Sequence, residues 1–150
     1  MRIAVGADHA GVDLKEAVVD WLVDQGYDVH DVGTFDHESV DYPDYALKVG
    51  EAVAQGEATY GLLFCGTGLG MCITANKVPG VRAVTCHEPL SARLARKHND
   101  ANVLTMGGRL VATDLALDVL AHFLGQEFSG GRHAGRVDKI VELERRRGAS

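Results

Sequence analysis

Short apolar runs alternate along this chain with longer stretches in which apolar residues recur every three or four positions. "RIAVG" (2–6) reads as a buried strand. After it Leu14, Ala17, Val18, Trp21 and Leu22 keep helical spacing until Gly26 stops them. "YDVHDVG" (27–33) alternates apolar and polar residues, as a strand near a sheet edge does, and 34–41 reads as a polar loop. Pro43 suits the first turn of a helix that carries Ala46, Val49 and Val53 on one side. "YGLLF" (60–64) is a third strand, which "FCGTGLG" joins to a helix over about 69–76. "VRAVTC" (81–86) is a fourth strand. Pro89 opens the next helix, with Leu90 and Leu94 inward and its end near His98 and Asn99. "NVLTMGG" (102–108) is a fifth strand, followed by a helix over about 113–124 capped by Thr113 and stopped by Gly125. A last helix over about 136–147 holds Val137, Ile140, Val141 and Leu143.

Five strand–helix alternations imply a five-stranded parallel sheet with helices on both faces. No repeat or linker interrupts the 150 residues, so they read as one domain, long enough to bury roughly 68–70% of the unfolded surface. In such sheets ligands bind outside the carboxyl ends of the strands. Asp8 and His9 follow strand one, Cys65 to Gly70 follow strand three, His87 follows strand four and Arg109 follows strand five. One pocket is expected to collect them.

The glycine turn fits neither nucleotide fingerprint. A dinucleotide motif needs G-x-G-x-x-G after the first strand, whereas Gly66, Gly68 and Gly70 follow the third and Met71 stands where the last glycine belongs. The Gly-Lys-Ser/Thr ending of a phosphate-binding P-loop is missing. What remains is a tight turn required by backbone geometry, or a set of N–H groups able to hold a phosphate or an oxyanion, with the Thr67 hydroxyl beside them. Cys65 stands at the mouth of this turn, where nearby amides favour a thiolate that acts as nucleophile or base. Cys72 and Cys86 read as small buried hydrophobes.

Charge narrows the partners. The net charge of −6 offers no overall basic field for nucleic acid, so anions must be met by local clusters. Arg109, Arg132 and Arg136 are candidates, the last two lying four apart in "SGGRHAGR"; solvated surface charge is the plain alternative. Asp8 reads equally as a cap of the first helix, and His98 as a cation answering a helix dipole with Asn99 as the left-handed cap. Three cysteines without CxxC spacing suit a reducing, cytoplasmic setting. No signal-peptide pattern or membrane-length apolar run is visible, and the seven histidines show no metal-ligand spacing.

In their order and spacing, "GADHAG", "YPD" (42–44), "CGTGLG" (65–70), "ANK" (75–77), "KHNDANVL" (97–104) and "GGRH" (130–133) resemble the type B ribose-5-phosphate isomerases, within the ribose and galactose phosphate isomerase family, over nearly the whole chain. The resemblance implies a Rossmann-like three-layer α/β/α sandwich and a cofactor-free aldose–ketose isomerisation of a sugar phosphate through a cis-enediolate, in the pentose phosphate pathway. By position, Cys65 resembles the base that moves a proton from C2 to C1, and His98 the acid that opens the furanose ring with Asp8 nearby. Gly66, Thr67, Gly68, Leu69 and Gly70 resemble the anion hole, Asn99 a sugar-hydroxyl contact, and His9, Arg109, Arg132 and Arg136 the groups around the phosphate. Tyr42 is placed against the sugar. Family members without the cysteine use a glutamate inside the turn; here that position is Met71, which cannot take a proton. The turn is thus expected to face Asp8, His98 and the arginines. The resemblance further implies a homodimer, or a dimer of such dimers, with each pocket at the subunit interface and the last helix available to a partner. Six-carbon substrates such as allose or galactose 6-phosphate, and a non-catalytic phosphate-binding module, are the alternatives.

Overall fold

The computed structural model describes residues 1–148. Strands β1 (Arg2–Ala7), β2 (Asp28–Asp31), β3 (Tyr60–Cys65), β4 (Ala83–Thr85) and β5 (Val103–Gly107) form one sheet in the order β2-β1-β3-β5-β4, with every pairing parallel. Helices α1 (Val12–Asp24), α2 (Tyr42–Ala54), α3 (Leu69–Ala75), α4 (Pro89–Asn99) and α5 (Thr113–Leu124) each follow a strand, and α6 (Arg132–Gly148) comes last. This is the expected three-layer α/β/α sandwich, with β2 at an edge.

The pleat of each strand sorts its side chains between two cores. Leu62 and Phe64 of β3 join Leu14 and Val18 of α1, Ala92 of α4 and Leu120 and Phe123 of α5 on one face. Leu63 and Cys65 turn to the other, against Val49 and Val53 of α2 and Met71 and Ala75 of α3. Among the described residues no helix is long and apolar enough to cross a membrane.

Several local expectations are corrected. Leu90 is exposed, not inward, and Leu94 is half-buried; Ala92, Ala95 and Arg96 face the core instead. The reason lies at the N-cap, where Glu88 accepts N–H bonds from Leu90 and Ser91, both at 2.7 Å, and fixes the rotation of α4. Its alanines then admit α5 closely. Thr113 is the first residue of α5 rather than its cap, which is Ala112 with no side-chain bond. Asp100, not Asn99, takes the left-handed position after α4, at φ 47°, and its carboxylate pairs with Arg96 at 2.8 Å and Arg82 at 3.3 Å. Helix α6 begins four residues early, directly after Gly130 and Gly131 turn the chain at positive φ. Its apolar line is mostly unpacked: Val137 is buried, while Ile140, Val141 and Leu143 are exposed. Cys86 is buried as expected, but Cys72 is half-buried, with its thiol directed at the Ala83 carbonyl.

Parallel strands have one further consequence. All five end at one edge of the sheet, the carboxyl edge, and each helix that follows a strand starts there and runs back to the amino edge. Residues at the front and the back of a helix therefore stand at opposite ends of the molecule.

Candidate active site

The carboxyl edge gathers most of the chemistry. Cys65 is the last residue of β3 and is buried; its Sγ accepts the Gly68 N–H at 3.1 Å. Gly68 adopts φ +79°, and a Cβ there would meet the Met106 backbone at 2.8 Å, so only glycine fits. The turn is stitched to the corner after β5: the Gly108 N–H donates to the Cys65 carbonyl at 2.8 Å and the Arg109 N–H to the Gly66 carbonyl at 3.0 Å. The Arg109 guanidinium folds over Gly66, with Nη1 only 3.2 Å from where a Cβ would stand. From the other side the Tyr42 ring lies against Gly70. Thr67 and Leu69 are exposed at the mouth, the Leu69 N–H resting 3.3 Å from the Thr67 hydroxyl.

Asp8 and His9 stand next to this turn, because the Asp8 N–H donates to the Phe64 carbonyl at 3.1 Å. The Asp8 carboxylate accepts the Ala10 and Gly11 N–H groups at 2.9 and 3.1 Å. It thus organises the β1–α1 turn but does not cap α1, whose N-cap is Gly11 with no side-chain bond, which corrects the capping alternative. His9 Nδ1 accepts the Val40 N–H at 3.2 Å, which leaves Nε2 as the nitrogen able to carry a proton toward a ligand.

His98, Asn99, Arg132 and Arg136 are not part of this group, which corrects the expectation that they face the glycine turn. His98 and Asn99 end α4 and so lie at the amino edge, about 16 Å along an 11-residue helix from where it begins. There the His98 ring stacks on His133 of α6, with centroids 4.2 Å apart and planes 11° apart. Loss of water pushes the His133 pKa down, and the charges of His98, Arg132, Arg136 and Lys97 add to the effect. Nearby, the Ser129 N–H donates to the Lys97 carbonyl at 3.0 Å and holds the approach to α6 against the end of α4. Among the described residues Arg109, Arg132 and Arg136 make no ion pair, whereas Arg82, Arg96 and Arg145 each hold a carboxylate. Three cations are therefore available to an anion, one at the carboxyl edge and two at the other.

Sequence reasoning gave no role to two polar side chains around the turn, Thr105 and Thr85, and placed His87 at the carboxyl edge without saying what it meets. Thr105 is fully buried on β5 and donates to the Gly68 carbonyl at 2.8 Å, and Thr85 lies 2.7 Å from it across the β4–β5 pairing. His87 Nε2 accepts the Gly107 N–H at 2.9 Å, replacing a ladder carbonyl where β4 has ended, and burial pushes its pKa down. The signal for the two threonines was a polar residue inside an apolar strand run, but only the strand register says what they meet. His133, inside the quoted "GGRH", was also passed over. A groove of 690 Å³ lies apart from Cys65, along β4 and α6, with Arg82, Asn99, Ile140 and Glu144 among its walls. Among the described residues no three or more His, Cys, Asp or Glu side chains are arranged to hold a metal.

Comparison with known proteins gives one consistent result. A family model described as Ribose/Galactose Isomerase matches residues 3–140. The chain is 50% identical to "Ribose-5-phosphate isomerase B" of Escherichia coli K12 over 97% of its own length and 98% of that protein's. It is 44% identical to "D-erythrulose-4-phosphate isomerase" of Pectobacterium atrosepticum, over 96% and 95%. The solved ribose-5-phosphate isomerase B of Clostridium thermocellum superposes with a TM-score of 0.96 at 54% identity, covering 97% of this chain and 99% of that one.

Proposed function

The chain belongs to the ribose/galactose isomerase family, as an enzyme of the type B ribose-5-phosphate isomerase group, and from that premise we propose how its own residues interconvert ribose 5-phosphate and ribulose 5-phosphate. The Cys65 thiolate removes the proton from C2 of the open-chain aldose, and the electron pair moves onto the C1 carbonyl oxygen to give an enediolate. The proton returns at C1 while the O2 hydroxyl proton passes to O1, so the sugar is isomerised with no net gain or loss of atoms. Amides of Gly66 to Gly70 and the Thr67 hydroxyl receive the enediolate oxygen, a charge that exists only as the reaction proceeds. His98 opens the furanose ring with Asp8 assisting, and Asn99 holds a sugar hydroxyl. His9, Arg109, Arg132 and Arg136 clamp the phosphate and fix the reacting end by its remote charge.

This assignment requires two chains. Cys65, Asp8, His9 and Arg109 belong to one edge of the sheet and His98, Asn99, Arg132 and Arg136 to the other, so a second copy supplies the second set. Exposed apolar side chains flank both halves and support such docking: Leu69, Ile73 and Leu110 near the glycine turn, and Ile140, Val141 and Leu143 on α6. We take the unit as a homodimer with reciprocal sites and α6 at the contact.

The observation that carries the reading is the Cys65 sulfur held by the Gly68 amide at 3.1 Å under an unpaired arginine. Cys65→Ala should keep ribose 5-phosphate binding by calorimetry and lose about 10²–10⁴-fold in turnover, the usual worth of a positioned base. Full activity in that variant would remove Cys65 from the mechanism. The relative named for a four-carbon sugar phosphate favours a second reading, in which this pocket accepts other chain lengths. Turnover of four-, five- and six-carbon sugar phosphates side by side decides between them.

A further inference from the structure

Gly68 is fixed through both of its peptide groups. Its N–H is the hydrogen-bond donor to Cys65 Sγ at 3.1 Å, while its carbonyl points the opposite way, into the sheet. There the carbonyl accepts the Thr105 hydroxyl at 2.8 Å and the Cys72 N–H at 3.1 Å, with the Thr85 hydroxyl 3.4 Å away. A hydroxyl has one proton; with it directed at Gly68, the remaining lone pairs of Thr105 face the Thr85 hydroxyl 2.7 Å away. The result is one chain of bonds from Thr85 to Thr105, to Gly68, to the Cys65 sulfur. Bonds linked in this way polarise and align one another.

The surroundings show that Thr105 is not ordinary packing. Its neighbours on β5, Val103, Leu104 and Met106, are fully buried and apolar, and Thr105 itself has no exposed surface. A hydroxyl in such a place costs stability unless it is bonded. Valine would fill the same volume without that cost. The bond it makes reaches 37 residues back along the chain, to the residue whose amide holds the proposed base.

We infer that Thr105, backed by Thr85, is a positioning residue for the isomerase: it anchors Gly68 from the face of the sheet that α3 covers and thereby sets the amide that holds Cys65. The inference rests on the role given to Cys65 above. Loss of the Thr105 hydroxyl leaves the Gly68 carbonyl with the Cys72 N–H at 3.1 Å and only the longer 3.4 Å contact of the Thr85 hydroxyl, and the 68–69 peptide regains some freedom to rotate. The Gly68 N–H then leaves the sulfur for part of the time, and the adjacent Leu69 amide loses its aim with it. Substrate binding through the phosphate, at Arg109 and across the interface, is untouched.

The test compares wild type, Thr105→Val, Thr105→Ser and Thr85→Val on ribose 5-phosphate, with thermal melts alongside. Thr105→Val should lower kcat about tenfold with KM nearly unchanged, short of the ~10²–10³ lost when an oxyanion donor is deleted outright. Thr105→Ser, which keeps the hydroxyl, should restore most of it. Amide hydrogen exchange at Gly68 should quicken in the valine variant and return in the serine one. A role confined to packing would move only the melting temperature. If Thr105→Val does not fold, half-buried Thr85→Val carries the test, with a smaller loss in kcat of the same pattern. Unchanged kcat in the folded valine variants beside an inactive Cys65→Ala would overturn the inference alone. A wild type unable to isomerise any sugar phosphate would overturn the assignment of Cys65 and the inference together.

Discussion

Two inactive variants should make an active enzyme. Cys65→Ala lacks the proposed base and His98→Asn the proposed ring-opening acid, yet each chain still carries the half that the other has lost. The geometry decides whether they can share. Cys65 closes β3 at the carboxyl edge, whereas His98 lies one residue from the end of α4, on the opposite edge. The helix and the five residues of β5 beside it each span about 16 Å, further than an imidazole can reach back. In the proposed two-fold dimer each site would combine Cys65 of one chain with His98 of the other. Refolding equal amounts of the two variants together gives mixed dimers as about half of the population, and in each of these one site has both residues intact. Activity should therefore recover to about a quarter of wild type, or about half per mixed dimer when those are isolated through two different affinity tags. Turnover of ribose 5-phosphate by each parent, by the mixture and by the purified mixed dimer makes the measurement. If the isolated mixed dimer stays at the level of its parents, base and acid belong to one chain and the two-chain assignment fails.

Two other perturbations follow from buried groups. Lys15 has no exposed surface and its Nζ lies 2.6 and 2.8 Å from the Asp31 oxygens, under the Phe35 ring. Asp31→Ala strands that ammonium and should cost about 3–5 kcal/mol, or about 6–20 °C in Tm. Lys15→Met should cost less, since Asp31 keeps the Gly33 N–H at 2.9 Å and some water; chemical denaturation giving the reverse ranking would contradict this. His87 is held below the ordinary imidazole value of about 6.5 by burial, and its neutral form is the one that accepts from Gly107. Below that pH the unfolded chain takes up the proton before the folded one does. Stability is therefore complete above about pH 6.5 and declines as the pH falls from there toward the folded value. An NMR titration placing His87 at or above 6.5 would refute it; His87→Gln, with a carbonyl oxygen for Gly107, should soften the decline.

Much of the site was legible because its location follows from a rule. Residues directly after parallel strands share one edge, so Asp8, Cys65 and Arg109 were brought together before any coordinates. The residues of the proposed second half belong to helix ends, and the resemblance that set them around one substrate suggested a shared place that the topology of a single chain denies. Arg96 shows a different limit: a charged residue in "ARLARKHN" reads as solvent-facing. It is buried because its guanidinium lies over the Tyr60 ring and bonds Asp100 and the Ala101 carbonyl, so alanine and arginine, not leucine, form the inner face of α4. Thr85 and Thr105 were hidden for a third reason. Each is an unremarkable strand residue until the register sets them side by side.

A site divided between the two edges, as proposed, would make chemistry a report on assembly. On the proposed assignment a single chain carries the base without its partner acid and one phosphate arginine instead of three, so it should stay inert toward sugars until it meets a copy of itself. At concentrations where protomers are mostly apart, the rate rises with the square of the protein present rather than in proportion to it. Dilution then acts as an off switch that needs no inhibitor. A chain whose docking faces are damaged is silenced even when every residue around its cysteine is intact.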